Sequence, residues 1–147
     1  MGASRSVADR SRVLELAEAN RLLPVVHKLV SRIDRRVSLR HRLKNEIVVL
    51  ELVVESSRHG RSVEFQEFLA KSVRYHRLAG QVDALVDRLC GMGCVVRDRD
   101  ARCVDFTFLR PDGLAFFCWR RSEESITHWH HMHEPHSSRR PLEPSEP

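Results

Sequence analysis

Several side chains able to bind a metal ion lie between residues 93 and 133. They are two aspartates, a cysteine, a glutamate and a histidine: Asp98, Asp105, Cys118, Glu123 and His130. Carboxylates, thiolates and imidazoles are the ligands that hold zinc and similar divalent ions in proteins. In the strand register that we favour, Asp105 lies near Cys118 across a hairpin, and a shift of one residue would separate them.

A structural role is the alternative for the same side chains. In this interpretation the aspartates fix turns or pair with three arginines: Arg97, Arg99 and Arg120. Carboxylates beside arginines usually form structural ion pairs or fix turns. In that case Cys118 is a small core residue and His130 is a hydrogen-bonded partner. We regard this interpretation as the more common one for such a pattern.

A histidine-rich tract at the end of the same stretch is the second candidate. It contains His128, His130, His131, His133 and His136. On a strand, His128 and His130 point to the same side, which suits chelation at two points. Together with Asp105 they form the metal-ligand set that we predict, for zinc or a similar ion. Adventitious metal binding is the alternative, because the tract runs into a segment rich in proline and serine.

A basic run nearer the N-terminus is the third candidate. Arg32, Arg36 and Arg40 are four residues apart, so they line one face of a helix and suit a phosphate backbone. No aromatic residues for base stacking are interleaved with them, and no helix-turn-helix or OB pattern is recognisable. A solvated basic face is the more common meaning of such a run.

The basic run lies within a segment that is typical of a long helix. Apolar residues recur at steps of three and four from residue 16 onward, and residues 25–59 contain neither glycine nor proline. The β-branched residues of 47–54 leave a strand open as an alternative there. Gly60 and Ser62 then mark a helix stop and a new N-cap. With a second apolar stripe following, the sequence predicts an antiparallel helical hairpin over residues 16–90.

The metal-ligand candidates lie in a segment that is typical of a β-meander, residues 93–131. Apolar and polar residues alternate in its second strand, and Pro111 and Gly113 mark a turn. The strands are expected at residues 94–97, 103–108, 114–120 and 125–131. The fold class is therefore α+β, with a long antiparallel helical hairpin packed on a small three- to four-stranded antiparallel meander.

A single domain is expected over residues 12–142, because 147 residues suffice to bury one core. A mobile basic N-terminus of residues 1–11 and a disordered tail of residues 143–147 are predicted to flank it. The apolar stripe of the hairpin is longer than a small sheet can cover. We therefore predict a homodimer, or contact with another protein, through the helices, in the manner of a coiled coil.

Composition narrows the class of protein. The net charge of +5 raises the chance of an anionic partner, although 20 acidic residues are interspersed. No apolar run approaches the ~20 residues that span a bilayer, and the first residues lack the apolar core of a secretory signal. We therefore expect a cytoplasmic protein whose four cysteines are reduced thiols.

Short motifs spread along the chain resemble those of one protein family. They are Leu16–Pro24 (LAEANRLLP), Gly93–Asp98 (GCVVRD), Val104–Phe106 (VDF), Cys118-Trp119, Glu123, Trp129-His130 and Arg139-x-Pro141-Leu142. In their order they resemble the uncharacterised bacterial family known as domain of unknown function 2203, over residues 13–142. The resemblance implies the fold and a bacterial origin, and it implies no activity. It completes our candidate functional cluster, which comprises Asp98, Asp105, Cys118, Trp119, Glu123, Trp129, His130 and Arg139.

Some positions depart from the family pattern. Arg97 stands where the family usually has lysine, Cys103 where it has leucine, Thr107 where it has proline and Ser122 where it has glycine. The losses of proline and glycine leave the local turn geometry open.

Three functional hypotheses follow, and whether the protein is an enzyme stays open. The leading one is a non-enzymatic, self-associating interaction or assembly module, because no Gly-rich phosphate loop or nucleophile elbow is present. The second is a divalent-metal-binding protein or a metal-dependent enzyme with its site in the meander. The third is a nucleic-acid accessory protein that uses the basic helix face. A nucleophilic pair of Cys118 with His128 or His130 lacks a recognisable oxyanion hole.

Overall fold

The computed structural model describes residues 12–56, 62–97 and 102–144. Within these ranges, two long helices come first and are followed by five strands, with a 3₁₀ helix before the last strand. The elements are α1 (Leu16–Ser56), α2 (Val63–Gly91), β1 (Cys94–Val95), β2 (Cys103–Arg110), β3 (Gly113–Arg120), β4 (His128–His131), the 3₁₀ helix (His136–Ser138) and β5 (Arg140–Pro141). The predicted mobile N-terminus of residues 1–11 lies outside the described residues, as do residues 145–147 of the predicted tail.

The helical hairpin is confirmed. Helix α1 is continuous over 41 residues, so the β-branched stretch 47–54 is helical. Pro24 lies inside α1 but near its beginning, where a missing N–H is better tolerated. Ser62 caps α2 as predicted, with its hydroxyl accepting from the backbone N–H of Phe65 at 3.2 Å. The predicted stop at Gly60 lies outside the described residues.

The two helices pack along their length and are joined by polar contacts at two levels. Lys71 pairs with Glu46 at 2.7 Å near the outer end. Further in, the Arg36 guanidinium donates to the Gln81 side chain at 3.1 Å. Among the described residues, neither helix has the length and apolar content needed to cross a bilayer.

The sheet is antiparallel throughout, in the order β1-β2-β3-β4-β5. The sheet has five strands, whereas three to four were predicted. The strand that the prediction missed is β5. Strand β5 pairs Arg140 with Trp129 and Pro141 with His128. A strand of two residues is too short to show alternation, and it lies in a segment whose proline, serine and arginine content is typical of a tail.

The two faces of the sheet have different chemistry. Toward the helices, side chains such as Phe106, Phe117 and Trp119 join the core with Ile33 and Leu89 of the helices. Phe108 and Phe117 stack at 3.9 Å between ring centres. The opposite face carries Asp105, Thr107, Cys118 and His130, all buried although three of them are polar or charged. Because a strand alternates, an apolar face toward the helices forces these residues to the other side.

Candidate metal centre

The register of the sheet brings three predicted residues together on the face away from the helices. Asp105 of β2 is the direct partner of Cys118 of β3, so the predicted pairing is confirmed. His130 of β4 pairs with Phe116 and lies diagonally from Cys118. The side chains of Asp105 and His130 are 0% exposed, as is Cys118.

A fourth side chain reaches this group from the C-terminal segment. His136 is the first residue of the 3₁₀ helix, and its Nδ1 lies 3.3 Å from Cys118 Sγ. The same nitrogen lies 3.6 Å from Asp105 Oδ1. One ligand atom from each of Asp105, Cys118, His130 and His136 falls within 4.8 Å of all the others. We call these four residues the metal cluster.

The hydrogen bonding of His130 fixes which of its nitrogens faces the cluster. Its Nδ1 lies 2.8 Å from the His131 carbonyl oxygen, and a carbonyl only accepts, so Nδ1 carries the proton. In a neutral ring, Nε2 then presents a lone pair toward Asp105 Oδ1 at 3.2 Å. Two lone pairs at this distance repel unless a proton or a cation lies between them. A backbone carbonyl on the far nitrogen is the usual support of a metal-binding histidine.

Three contacts between the ligand atoms are close to the spacing expected around a tetrahedral ion. With typical zinc–ligand bond lengths, the edges of the tetrahedron are about 3.3–3.6 Å. Three of the six separations between the ligand atoms are 3.2 Å, 3.3 Å and 3.6 Å, and the four atoms all lie within 4.8 Å of one another. The donor set is one oxygen, one sulfur and two nitrogens. It suits zinc better than magnesium or calcium, which prefer oxygen ligands.

Arg97 contacts the outer side of the cluster. Its Nε lies 3.4 Å from Asp105 Oδ2, and its terminal nitrogens donate to the carbonyls of Met132 and Glu134 at 2.7 Å and 3.0 Å. The guanidinium also lies 4.9 Å above the Phe116 ring. Arg97 therefore holds the C-terminal segment near Asp105 and orients the carboxylate with Oδ1 toward the cluster. The predicted structural ion pair of Asp105 is thus present beside the cluster.

Two buried polar atoms of the cluster have unused hydrogen-bonding capacity. Asp105 Oδ2 and His136 Nε2 have no hydrogen-bond partner among the described residues, although Oδ2 has the nearby charge of Arg97. Buried polar atoms without partners are rare in folded proteins.

The environment of Cys118 does not suit a nucleophile. Burial, followed by the negative charge of Asp105, raises the pKa of Cys118 to about 12. A Cys–His–Asp relay would also need thiol and carboxylate on opposite nitrogens of one imidazole. Here both approach the same atom, Nδ1 of His136. The contacts converge on one point, as metal ligands do. The imidazole within hydrogen-bonding distance of Cys118 Sγ is that of His136, whereas the sequence suggested His128 or His130.

Glu123 and Arg139 form a clamp beside the cluster. The guanidinium of Arg139 binds both carboxylate oxygens, at 2.6 Å and 3.1 Å, and also donates to the Cys118 carbonyl at 3.3 Å. Burial acts to raise the pKa of Glu123, but hydrogen bonds from Arg139 and the Arg120 backbone outweigh it, so the pKa is lowered overall. The Trp119 indole N–H donates to the Glu123 carbonyl at 2.8 Å. These predicted site residues hold the C-terminal segment on β3.

His128 and Trp129 lie outside the metal cluster. His128 Nδ1 lies 2.8 Å from the Thr127 hydroxyl. Burial and the charge of Arg139 lower the pKa of His128. Trp129 packs against two guanidinium groups, Arg110 at 3.8 Å and Arg140 at 4.8 Å from its ring centre. Of the predicted ligand set, the structure brings Asp105 and His130 into the cluster and places His128 outside it, so its role as a ligand stays a prediction.

His136 and Cys118 were missing from that predicted ligand set. Cys118 was in the wider cluster, and His136 was only one member of the histidine tract. No periodicity marks His136, because it follows Pro135 in a 3₁₀ turn after the last predicted strand. Asp98 lies outside the described residues, so its predicted role stays a prediction.

The predicted basic face is divided by the packing of the helices. Arg32 is exposed, while Arg36 is bonded to Gln81 and Arg40 lies 6.0 Å from the Tyr75 ring centre on α2. Two of the three arginines are thus turned toward the neighbouring helix. Nucleic-acid binding by this face stays a prediction.

Comparison with known proteins identifies a family for this chain. No curated protein and no solved structure matches the chain. The model of one family, described as "Uncharacterized conserved protein (DUF2203)", matches residues 12–142. The chain therefore belongs to the DUF2203 family, as its motifs indicated.

Proposed function

We propose that this protein binds one divalent metal ion, zinc by its ligand preference, in the metal cluster. The observation that carries the proposal is the convergence of four ligand atoms within 4.8 Å of one another, with three of their contacts between 3.2 Å and 3.6 Å. Two supporting features are the carbonyl on His130 Nδ1 and the lone-pair contact between His130 Nε2 and Asp105 Oδ1.

The proposed ion has a structural role. Four protein ligands complete the shell of a tetrahedral ion, whereas catalytic zinc sites keep a position for water or substrate. Three of the four ligands are fully buried, and the side chain of His136 is 18% exposed. The ion therefore joins the C-terminal segment, through His136, to strands β2, β3 and β4. This role suits a non-enzymatic module better than a metal-dependent enzyme.

A buried ion pair is the competing explanation for the same contacts. In that case His130 is protonated and, with Arg97, neutralises Asp105 without any metal. The two explanations differ in what they require of Cys118 and His136. An ion pair needs neither of them, whereas a tetrahedral metal site needs both.

Metal content tests the proposal. Untagged protein, reconstituted with zinc and freed of excess, is analysed by elemental mass spectrometry beside three variants. We expect about one zinc per chain for the wild type, the same for His128→Ala, and loss of the ion in Cys118→Ser and His136→Ala. His128→Ala is the matched control, because it removes an imidazole from the same tract outside the cluster.

Cobalt substitution adds a spectroscopic readout. A tetrahedral cobalt site with a thiolate ligand absorbs visible light and shows a sulfur-to-metal charge-transfer band, which Cys118→Ser removes. Absence of stoichiometric metal in the wild type overturns the proposal and leaves the ion pair. Equal metal loss in His128→Ala also overturns it.

A further inference from the structure

The two oxygens of the Asp105 carboxylate have different neighbours. Oδ1 lies 3.2 Å from His130 Nε2 and 3.6 Å from His136 Nδ1, so it faces the metal cluster. Oδ2 lies 3.4 Å from Arg97 Nε, at the outer side of the cluster. The carboxylate is 0% exposed, so bulk water does not screen these contacts. One oxygen therefore belongs to the ligand set, and the other has a cation beside it.

Arg97 is held in this position by contacts that do not involve Asp105. Its two terminal nitrogens donate to the carbonyls of Met132 and Glu134 at 2.7 Å and 3.0 Å. The centre of the guanidinium lies 4.9 Å from the centre of the Phe116 ring. The guanidinium cannot turn away from Oδ2 without breaking both hydrogen bonds. The positive charge beside Oδ2 is therefore a fixed feature of the fold.

This charge bears on how a metal ion can bind the carboxylate. An ion held by both oxygens lies between them, closer to the guanidinium, which repels it. An ion held by Oδ1 alone lies farther from that charge, and Arg97 then neutralises the unbound Oδ2. Binding through both oxygens, or to more than four ligands, is the habit of ions such as calcium and manganese. These ions lose more than zinc does when only one oxygen is offered.

We infer that Arg97 determines which ions the metal cluster accepts, by restricting Asp105 to a single bond through Oδ1. The inference rests on the metal centre proposed above and adds its selectivity. Arg97 does not bind the ion and is a positioning residue. It favours a four-coordinate ion such as zinc over ions that would take both carboxylate oxygens.

Three variants separate this role from general support of the fold. Arg97→Gln removes the charge beside Oδ2, and Arg97→Lys retains a charge there. Arg140→Gln is the matched control, because Arg140 also binds Glu134, at 2.8 Å through the carboxylate, and also packs over an aromatic ring, Trp129 at 4.8 Å. The contacts of Arg140 are thus with the same segment as those of Arg97, but not with Asp105.

The visible spectrum of bound cobalt is the first readout, measured on the untagged full chain. We expect intense bands of four-coordinate cobalt in wild type, Arg97→Lys and Arg140→Gln. Arg97→Gln should give weaker bands, because the second oxygen of Asp105 adds a fifth ligand. It should keep the sulfur-to-metal charge-transfer band, which shows that Cys118 is still bound and that the site has not collapsed.

Competition with manganese is the second readout. Manganese is titrated into each cobalt-loaded protein, and displacement is followed by the loss of cobalt absorption. We expect Arg97→Gln to lose cobalt at about tenfold lower manganese concentration than wild type, which is the size of effect typical of residues that orient metal ligands. Arg97→Lys and Arg140→Gln should require the same concentration as wild type.

The outcomes distinguish failure of the inference from failure of the metal centre. Wild type without a thiolate charge-transfer band overturns the metal centre, and the inference with it. If wild type has the band, the inference alone is overturned when Arg97→Gln matches wild type in both readouts, or when Arg140→Gln changes as much. Loss of the band in Arg97→Gln and Arg97→Lys alike also overturns it, because Arg97 would then serve only to hold the fold.

Discussion

At the scale of single residues, two polar contacts decide the character of the buried sheet face. One is the approach of His130 Nε2 to Asp105 Oδ1 at 3.2 Å, which calls for a positive charge between or on the two groups. The other is the two-point bond of Arg139 to Glu123, whose shortest contact is 2.6 Å. The contact of His130 with Asp105 lies within the proposed metal centre. The bond between Arg139 and Glu123 holds the C-terminal segment that carries His136.

The Glu123–Arg139 clamp predicts a pH-dependent loss of stability. Because the folded pKa of Glu123 is lowered, its contribution is present above the unfolded pKa of about 4.3 and is lost as pH falls through the lower folded pKa. We expect Glu123→Gln to reduce the free energy of unfolding by about 2 kcal/mol at neutral pH. The difference from wild type shrinks below about pH 4.

Urea unfolding at several pH values, in the presence of a chelator, measures this effect without the metal. Glu124→Gln is the matched control, because Glu124 is the exposed neighbour of Glu123. We expect it to change stability by less than about 0.5 kcal/mol. A difference between Glu123→Gln and wild type that stays constant down to acid pH would contradict the assignment.

At the scale of elements, the connection from α2 to β1 depends on one glycine. Gly93 has φ of +93°, a conformation that other residues rarely adopt, and it lies between the end of α2 and Cys94. A Cβ at Gly93 would come within 3.2 Å of Arg12 Cβ and 3.4 Å of Leu14 Cδ1. This turn allows β1 to begin at Cys94, directly after the end of α2.

Two alanine substitutions test the importance of that turn. We expect Gly93→Ala to lower the free energy of unfolding by about 1–2 kcal/mol, because of the positive φ and the close contact. Gly80→Ala is the control, because Gly80 is exposed in α2 with nothing within 4 Å of an added Cβ. It should raise stability by about 0.5–1 kcal/mol. Thermal unfolding that shows the same sign for both variants would contradict this account.

At the scale of the whole molecule, the sheet is covered on both faces by different parts of the chain. The helices cover the apolar face, and the segment after β4 covers the polar one through His136 and Arg139, with Arg97 donating to the backbone of that segment. The proposed ion would add a link between this segment and three strands. Removal of the ion should therefore lower the stability of the fold and loosen the C-terminal segment in particular.

Chelation tests this link. A ligand that binds only the folded state at about 1,000 times its Kd contributes about 4 kcal/mol. We expect a zinc chelator to lower the melting temperature of wild type and to speed tryptic cleavage after Arg139. His136→Ala should show neither response, because it lacks the fourth ligand. A wild-type melting temperature that chelator and added zinc leave unchanged would remove the structural role of the ion.

The amino-acid sequence by itself determined the element types, the order of the elements and one close pair. The long apolar periodicity of α1, the cap at Ser62 and the alternation of β2 each reflect local rules, so these elements could be predicted. The pairing of Asp105 with Cys118 followed from the hairpin turn between their strands.

Only the tertiary structure decided which side chains complete the metal cluster. His136 and β5 lie in a segment without periodicity, whose position depends on long-range contacts with Arg97, Cys118 and Trp129. His128 shares a strand face with His130, yet neighbouring contacts turn its ring away. Local patterns specify which face a residue occupies, whereas convergence of ligand atoms depends on packing between distant segments.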